Sequence, residues 1–396
     1  NDPEIEKQLF EKKELSDRLI TLLAEFLSIY KEGQFTREEV ISSVKNISSD
    51  EKERYYVFLN LFFDVYDRYQ NFLKRRKEYD FADLLKLGTE KLKNKSFKTN
   101  FKRIIVDEYQ DISRGRYRFL KAIIENQDDC RIMCVGDDWQ SIYAFNGSDI
   151  KFTFDFEKIF GRTARVDLDK SFRFSQPILD VSSRFIQRNP FQLKKKIISK
   201  PSNIKNTIEI INLDYGESNN LLNVFKTVDN VRPKNKKWVV YILGRYNRIA
   251  KKNNIYPDIP KEIKLKFKNL KFEFMTIHKS KGLGADAIII LNLEAGKYGF
   301  PGYIENDPIM NLVRPGEQDF KNAEERRVLY VAMTRAKQKI ILCSNSYFPS
   351  EFIDELKTYP EVSFEKKSLI NKNYLPCPSC TSGKLYLKKP KRINGY

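Results

Sequence analysis

The sequence predicts an α/β protein whose mostly parallel sheets are preceded by a helical segment. Apolar residues recur at helical spacing over residues 1 to about 98, where no strand pattern occurs. From Lys102 onward, short apolar runs rich in β-branched residues end in polar or glycine-bearing turns and alternate with helical stretches. This alternation is typical of parallel sheets that are covered on both faces.

The helical segment contains two apolar stripes, which we expect to form core rather than ligand contacts. Residues at this spacing share one face of a helix, so each stripe predicts a helix packed on its neighbours. The stripes comprise Leu19, Leu22, Leu23, Phe26 and Tyr30, and then Tyr55, Phe58, Leu59, Phe62 and Tyr66.

Two sets of strands follow, and they predict two α/β domains with a boundary near Phe174. The first set covers residues 103–106, 131–135 and 165–168, and the second covers 207–213, 238–243, 272–277, 287–291 and 339–343. Helices are expected at 116–126 and 175–187. The stretch 296–318, rich in glycine and proline, is expected to be irregular and exposed. The expected divisions are a helical subdomain at 1–78, the remainder of the first α/β domain at 79–174, the second at 175–350 and a C-terminal tail with a partial cysteine-rich zinc module at 351–396.

The charge balance is strongly basic, with 72 lysines and arginines against 53 aspartates and glutamates and a net charge of +19. This excess favours a polyanionic partner, because binding releases condensed counterions; a lysine-rich surface serving solubility is the alternative. Five cysteines, an odd and sparse set, indicate a reducing cytosol. No early apolar run is long enough to span a bilayer, so we expect a cytoplasmic protein, as in a bacterial cytosol, without a membrane partner. The basic residues cluster at Lys194–Lys196, Lys234–Lys237, Lys261–Lys271 and Lys388–Arg392.

A buried strand at 104–106 ends in the adjacent carboxylates Asp107 and Glu108, within the string Asp-Glu-Tyr-Gln-Asp. In open α/β sheets, ligands bind at the carboxyl ends of the strands. Asp107 can hold Mg²⁺ there, because this ion prefers oxygen ligands, and Glu108 can orient or deprotonate an attacking water. The alternative is an ordinary strand followed by an acidic turn that starts a helix.

The next strand leads into Gly136-Asp137-Asp138-Trp139-Gln140 and then to an aromatic loop. A neutral amide such as Gln140 at a strand end can sense a terminal phosphate. Tyr143 and Phe145 follow on a glycine-bounded loop, where flat rings can stack on unpaired bases and contribute about 1–3 kcal/mol each. The alternative is that both rings fill a seam between domains.

These two blocks resemble motifs II and III of the UvrD/Rep-type superfamily 1 DNA helicases. The resemblance spans Tyr79–Cys343 and is greatest to helicase IV-like members, which carry a block similar to Gly282–Asp286. It implies two RecA-like domains of the P-loop NTPase type, with residues 1–78 as a 1B-like subdomain. The remaining blocks follow in the family's order, with motif IV at Leu168–Arg173, motif V at Phe274–Leu283, motif VI at Glu324–Ala336, and Tyr79–Leu85 ahead of motif II.

The resemblance implies an ATP-dependent 3′-to-5′ DNA helicase or translocase on single-stranded DNA, acting in repair or recombination. The cofactors would be ATP and Mg²⁺. The partners would be single-stranded DNA, junctions between single-stranded and duplex DNA, and repair or replication proteins. For the nucleotide, it implies that Asp107 binds Mg²⁺, that Glu108 acts on the attacking water and that Phe172 packs on the adenine. Gly282 would also lie at the nucleotide. Three residues would contact the γ-phosphate: Gln140, Arg173 and Arg335. It also implies four residues that contact DNA: Tyr143, Phe145, Thr276 and the single histidine, His278.

Alternatives and departures accompany these roles. Arg173 could form a salt bridge, and Arg326, Arg327 and Arg335 could be charges on a helix surface. Gly284 stands where the family has a glutamate that contacts the ribose. The pair Cys377 and Cys380 is half of a zinc knuckle, so Zn²⁺ is expected only in a longer chain that supplies four ligands.

The largest departure is that no Gly-x-x-x-x-Gly-Lys-Ser/Thr loop occurs in the sequence. Such a loop supplies backbone amides and a lysine to the phosphates. We expect an N-terminally truncated chain that cannot use its ATPase site alone. The alternative is a degenerate, non-hydrolysing relative that binds nucleic acid or RNA polymerase.

Overall fold

The structure, a computed structural model, divides into two units. Unit 1 comprises Asn1–Ala164 and Glu305–Glu317, and unit 2 comprises Arg165–Ile304 and Gln318–Tyr396. Each unit carries parallel strands, so the predicted α/β class with parallel sheets is confirmed. No helix among the described residues is both long and apolar enough to cross a membrane. The structure describes residues 3–45, 47–213, 220–247, 261–303, 307–316, 318–345, 348–364, 374–376 and 384–386.

Unit 1 begins with four helices, and the first three build a core from the two predicted stripes. Phe26, Phe58 and Phe62 are buried, and the rings of Phe26 and Phe62 meet edge to face at 4.6 Å between centroids. Leu19 is the exception, because it is 41% exposed and lies outside this core. The helices are α1 (Pro3–Glu32), α2 (Arg37–Val44), α3 (Ser49–Arg76) and α4 (Phe81–Lys93).

The rest of unit 1 is built on two parallel strands, β1 (Arg103–Val106) and β2 (Arg131–Cys134). Val106 lies opposite Cys134, so both strands end at the same edge. Helix α5 (Arg114–Glu125) connects them and is capped by Ser113, whose Oγ accepts a hydrogen bond from the Arg116 amide. Two short helices follow, α6 (Lys151–Phe154) and α7 (Phe156–Phe160).

The prediction of an irregular, exposed stretch at 296–318 is wrong over part of its length. Residues Pro308–Leu312 form a 3₁₀ turn, and Ile309 and Met310 are about as buried as any core residue, at 2% and 1% exposure. They pack with Leu312 and Val313 into the helical core of unit 1. The glycine and proline content did not indicate this burial, because four apolar residues in a short run are enough to anchor an irregular segment in a core.

Unit 2 contains a parallel sheet of six strands in the order β10-β5-β9-β8-β6-β7. Its core includes Phe225, Val240, Ile242 and Ile289. The strands are β5 (Ile208–Asn212), β6 (Trp238–Gly244), β7 (Leu270–Thr276), β8 (Ala285–Ile290), β9 (Ala336–Ser344) and β10 (Val362–Phe364). The helices are α8 (Gln176–Ile186), α9 (Asn220–Val231), α10 (Lys261–Lys266), α11 (Ala323–Met333) and α12 (Glu351–Leu356). Two further pairs are β3 (Lys170–Ser175) with β4 (Ile198–Lys200), parallel, and β11 (Tyr374–Pro376) with β12 (Lys384–Tyr386), antiparallel.

The strand expected at 165–168 is absent from the structure, and the extended segment begins instead at Lys170. Val166 and Leu168 are 83% and 80% exposed. Strand propensity depends on context, and residues 165–168 pair with none of the described strands.

Candidate functional site

The carboxyl ends of β1 and β2 hold the predicted carboxylates. Asp107 and Glu108 follow β1 directly, and both are exposed. Glu108 adopts the left-handed region at φ 49°, which costs a non-glycine residue about 1–2 kcal/mol. Asp107 partly offsets this, because its Oδ1 accepts a hydrogen bond from the Glu108 amide at 2.8 Å. The turn therefore presents both carboxylates at the strand end.

Gln110, which had no predicted role, connects the turn after β1 to the turn after β2. Its side chain is fully buried; its Nε2 donates to the Glu108 carboxylate, and its Oε1 accepts from the Asp137 amide at 2.9 Å. Asp137 Oδ2 accepts in turn from Gln140 Nε2 at 2.6 Å. A chain of hydrogen bonds thus links Glu108 to Gln140. The residue string contains Gln110, but its bridging position depends on the register of β1 and β2.

Tyr143 and Phe145 lie on the loop that follows, with ring centroids 6.0 Å apart. Phe145 is 42% exposed, and Tyr143 is partly buried. Burial raises the pKa of Tyr143, and the negative charges of Asp111 and Glu108 raise it further. The phenol therefore stays protonated at neutral pH and can donate a hydrogen bond.

A cavity of about 750 Å³ lies within unit 1 beside Tyr143, and this volume is typical of ligand sites. Phe81 and Arg116, neither of which had a predicted role, also line it. Phe81 is 87% exposed, although burying a phenylalanine side chain contributes about 1.5–3 kcal/mol. An exposed ring in a cavity wall is a sign of a binding surface, and the sequence pattern alone could not reveal its exposure.

Lys31 anchors one wall of this cavity. Its side chain is 6% exposed and lies 2.5 Å from Asp80 Oδ2 and 2.9 Å from Asp83 Oδ1. Asp80 also caps α4, because its Oδ1 accepts from the Asp83 amide at 2.9 Å. Burial by itself would raise the pKa of Asp80, but hydrogen bonds from Lys31, the Asp83 amide and Tyr69 outweigh it and hold the pKa below its ordinary value.

Replacing Asp80 with asparagine is expected to destabilise unit 1 by about 1–2 kcal/mol at neutral pH. This is less than the cost of breaking a buried ion pair completely, because Lys31 would still form its ion pair with Asp83. Asparagine would also preserve the cap of the helix. The folded-state pKa is depressed, so the wild-type advantage is present above the unfolded value of about 3.9 and is lost as the pH falls through the folded value. Urea unfolding over a pH series measures this.

The matched control is Asp67→Asn, which removes a carboxylate from an ion pair with Arg37 whose side chains are 51% and 43% exposed. Exposed pairs of this kind contribute roughly 0–1 kcal/mol. A destabilisation by Asp80→Asn that stayed constant from neutral to acid pH would show that the Lys31 pair is not its cause.

In unit 2, Phe172 and Arg173 project from β3. Phe172 is 83% exposed, and the Arg173 side chain is also exposed. Within the described part of the chain, Arg173 makes no ion pair, so the salt bridge considered as its alternative is not observed there. Both side chains are accessible to a ligand.

The connection from β7 to β8 holds the predicted Thr276, His278 and Gly282. Thr276 ends β7 opposite Gly244 of β6, and His278 begins a 3₁₀ turn. Gly282 has φ 81°, a left-handed conformation that glycine adopts without strain. A Cβ on Gly284 would lie 3.6 Å from the nearest atom, Arg335 O, so no steric conflict excludes a side chain there.

Arg335 is fully buried where α11 leads into β9. Its guanidinium donates to Val331 O at 2.9 Å, to Leu283 O at 3.4 Å and to Thr334 Oγ1 at 3.2 Å. Arg326 and Arg327 are 7% and 4% exposed. Charge on a helix surface, the alternative considered for these three arginines, is therefore wrong.

Metal ligands are sparse in the part of the chain that the structure describes, where no group of three or more histidine, cysteine or acidic side chains could hold an ion. Asp107 and Glu108 offer one or two carboxylates, which suits Mg²⁺ when phosphate oxygens and water complete its shell. Cys377 and Cys380 lie outside the described residues. Burial raises the pKa of the Cys134 thiol to about 12, so this cysteine is an inert core residue.

Comparison with known proteins matches two family models in chain order. The UvrD/REP helicase N-terminal domain matches residues 2–161, and the UvrD-like helicase C-terminal domain matches residues 247–347. The solved structure of PRRSV helicase aligns with a TM-score of 0.30 and 15% identity, over 61% of this chain and 34% of that chain, which is too low to support the fold.

Curated relatives include three bacterial helicases. DNA helicase IV of Escherichia coli (strain K12) is 32% identical over 352 residues, covering 89% of this chain and 49% of that protein. ATP-dependent DNA helicase Rep of Buchnera aphidicola is 29% identical over 64% of this chain and 39% of that protein. The "Probable DNA helicase" of Mycoplasma pneumoniae is 26% identical over 83% of this chain and 59% of that protein. The chain therefore spans about half the length of the curated relatives it matches.

Proposed function

The chain belongs to the UvrD/Rep family of DNA helicases, and from that membership we propose that it acts in an ATP-dependent translocase that moves 3′ to 5′ on single-stranded DNA. We further propose a role in repair or recombination at single-strand–duplex junctions. The observation that carries the DNA proposal is the cavity of unit 1, because it combines Tyr143 with an exposed aromatic ring and a cation.

The cavity suits an unpaired base with its phosphate. Tyr143 and Phe81 offer ring faces, and base–aromatic stacking contributes about 1–3 kcal/mol per base. Arg116 pairs with Glu32 through its Nε at 3.2 Å, but its side chain is 60% exposed, so its other donors can meet a phosphate. The Asp111 carboxylate can accept a hydrogen bond from a base amino group. Phe145, Thr276 and His278 are proposed as further DNA contacts.

The carboxylates after β1 are proposed to serve the nucleotide. Asp107 would hold the Mg²⁺ that neutralises the phosphates, and its exposed carboxylate fits this role. Glu108 would orient or deprotonate the attacking water, held in place by the hydrogen bond from Gln110. Gln110 is thus a positioning residue, which also fixes the strand-end turn that presents Gln140.

The remaining nucleotide contacts are proposed on unit 2. Phe172 would pack on the adenine, with Gly282 near the nucleotide, and Arg173 would meet the γ-phosphate. Arg335 is proposed for the same phosphate, which requires it to exchange at least one of its present hydrogen bonds to Val331 and Leu283. An arginine suits this task because it stays charged and presents a fixed fork of donors.

Tyr143→Leu is expected to weaken binding of a single-stranded oligonucleotide by about 5- to 150-fold, which corresponds to the loss of 1–3 kcal/mol of stacking. Fluorescence anisotropy with a labelled oligonucleotide measures this. Tyr143→Phe keeps the ring and is the matched control, with affinity near that of the wild type. If the leucine and phenylalanine variants bind equally well, Tyr143 does not stack on a base and the cavity loses its proposed role.

A non-hydrolysing nucleic-acid-binding or RNA-polymerase-binding protein of the same fold is the second candidate. No Gly-x-x-x-x-Gly-Lys-Ser/Thr loop, which would hold the phosphates, occurs among the 396 residues. ATP hydrolysis measured with and without single-stranded DNA, on this chain and on a chain extended at its N-terminus, separates the two. Stimulated hydrolysis by the extended chain supports the translocase, whereas single-strand binding without hydrolysis by the extended chain supports the second candidate.

A further inference from the structure

The amino ends of β6 and β7 carry a row of lysines that the proposed function leaves unused. Three of them precede β6 and two precede β7, and all five side chains are exposed. We call this surface the lysine edge. Its members are Lys234, Lys236, Lys237, Lys266 and Lys268.

The turn before β6 is held in a fixed shape by Arg232. The Arg232 side chain is 8% exposed, and its Nη1 donates to the carbonyls of Pro233 at 2.9 Å, Lys234 at 3.2 Å and Lys236 at 2.6 Å. Its Nε donates to Asp229 in the last turn of α9 at 2.9 Å, so its charge is compensated locally. A buried guanidinium that binds three carbonyls of one turn fixes the backbone that carries the lysines.

The two lysine segments are neighbours, because β6 and β7 are adjacent strands. Trp238 lies opposite Leu270, and the Trp238 amide donates to Asn269 O at 2.9 Å. Paired strands lie about 4.8 Å apart. The lysines of the two segments therefore lie side by side on one surface.

The local charge is one-sided. Residues 229–237 and 261–273 contain nine lysines and arginines against three acids. Two of the acids already pair, Asp229 with Arg232 and Glu273 with Lys271. Within the described residues, none of the five lysines of the lysine edge forms an ion pair. The surface therefore presents cations without local compensation.

The lysine edge fits paired rather than unpaired DNA. A single strand would need aromatic faces for its bases, but every aromatic residue of 229–238 and 261–273 is buried: Trp238, Phe267 and Phe272 are 4%, 4% and 7% exposed. Lysines alone meet a phosphate backbone as point charges and read no sequence. Because β7 is seven residues long, the edge lies about 20 Å from Thr276, the proposed contact to the single strand.

We propose that the lysine edge binds the phosphate backbone of duplex DNA, at the end of the sheet opposite the connection that bears Thr276 and His278. The inference rests on the proposed function, because the duplex would be the one that adjoins the bound single strand. It assigns the duplex contact to the sheet of unit 2 itself.

The test compares the salt dependence of DNA binding by the wild type and by K234Q/K236Q/K237Q. Binding of a blunt duplex and of a single-stranded oligonucleotide is measured by anisotropy over a salt series. The slope of log K against log salt for the duplex is expected to fall by about 2.7, which is about 0.9 for each phosphate that the variant no longer neutralises. The slope for the single strand should stay unchanged.

The matched control is K91Q/K93Q/K98Q, which removes the same charge from exposed positions of unit 1. Its duplex slope should equal that of the wild type, and thermal unfolding should show both variants folded. Equal reductions of the slope in the two triple variants would mean that net charge alone matters, and an unchanged duplex slope in K234Q/K236Q/K237Q would also overturn the inference. Failure of the wild type to bind single strands would instead contradict the proposed function.

Discussion

Arg326→Met is expected to lower the free energy of unfolding of unit 2 by about 3–5 kcal/mol, the usual cost of breaking a buried ion pair by removing one partner. The Arg326 guanidinium donates to Glu355 Oε1 at 2.9 Å and Oε2 at 2.8 Å, and both side chains are 9% exposed. It also donates to Phe185 O at 2.9 Å and lies over the Phe185 ring at 4.2 Å. Methionine fills much of the volume but leaves the Glu355 carboxylate buried with less compensation.

The chain allows this loss of stability to be measured in unit 2 alone. It contains two tryptophans, Trp139 in unit 1 and Trp238 in unit 2, and both are buried. In a Trp139→Phe background, tryptophan fluorescence during urea unfolding reports unit 2. The ion pair predicts that Arg326→Met costs less when Glu355 is already glutamine, because the carboxylate that needs compensation is gone.

Arg188→Met is the control, because Arg188 faces the same carboxylate at 3.7 Å with a side chain that is 57% exposed. Its removal should cost less than about 1 kcal/mol. Comparable destabilisation by Arg188→Met and Arg326→Met, or full additivity of Arg326→Met with Glu355→Gln, would contradict the assignment of the stability to the buried pair.

The burial of Arg326 is an example of a feature that the sequence alone could not predict. The repeating patterns of strands and helices follow from residue type and spacing, so seven of the nine strands from β1 to β9 lie within a few residues of their expected positions. Burial of a charged residue depends instead on which partner the fold brings to it. Glu355 is 29 residues away in sequence, and no local pattern marks it as the partner of Arg326.

The same limit applies to the candidate site. Local strings identified Glu108 and Gln140 as candidates, but their connection through Gln110 and Asp137 depends on how β1 pairs with β2. Phe81 stood in a segment recognised by resemblance, yet its place in the cavity wall arises from helix packing. The strand expected at 165–168 is the opposite case, because the local pattern is present but no neighbouring strand pairs with it.

Gly115→Ala is expected to destabilise unit 1 by about 3 kcal/mol or more, at the upper end of the usual cost of overpacking. A Cβ at this position would lie 1.8 Å from the backbone oxygen of Glu32, so α1 and α5 must separate. The contact joins two walls of the cavity, because Glu32 also accepts from Ser113 Oγ at 2.8 Å and lies 3.2 Å from the guanidinium of Arg116. Single-strand affinity should therefore fall although no proposed DNA-contacting side chain has changed.

Gly88→Ala provides the matched comparison within the same unit. Its Cβ would lie 2.8 Å from the ring of Phe119, a side chain that can shift, and alanine favours a helix by about 1 kcal/mol over glycine. We expect little net change in stability and unchanged single-strand affinity. In a Trp238→Phe background, Trp139 reports the unfolding of unit 1 for both variants. If Gly115→Ala unfolds like Gly88→Ala, the close approach of α1 to α5 does not limit this unit; if it is destabilised but binds single strands normally, the cavity does not depend on that approach.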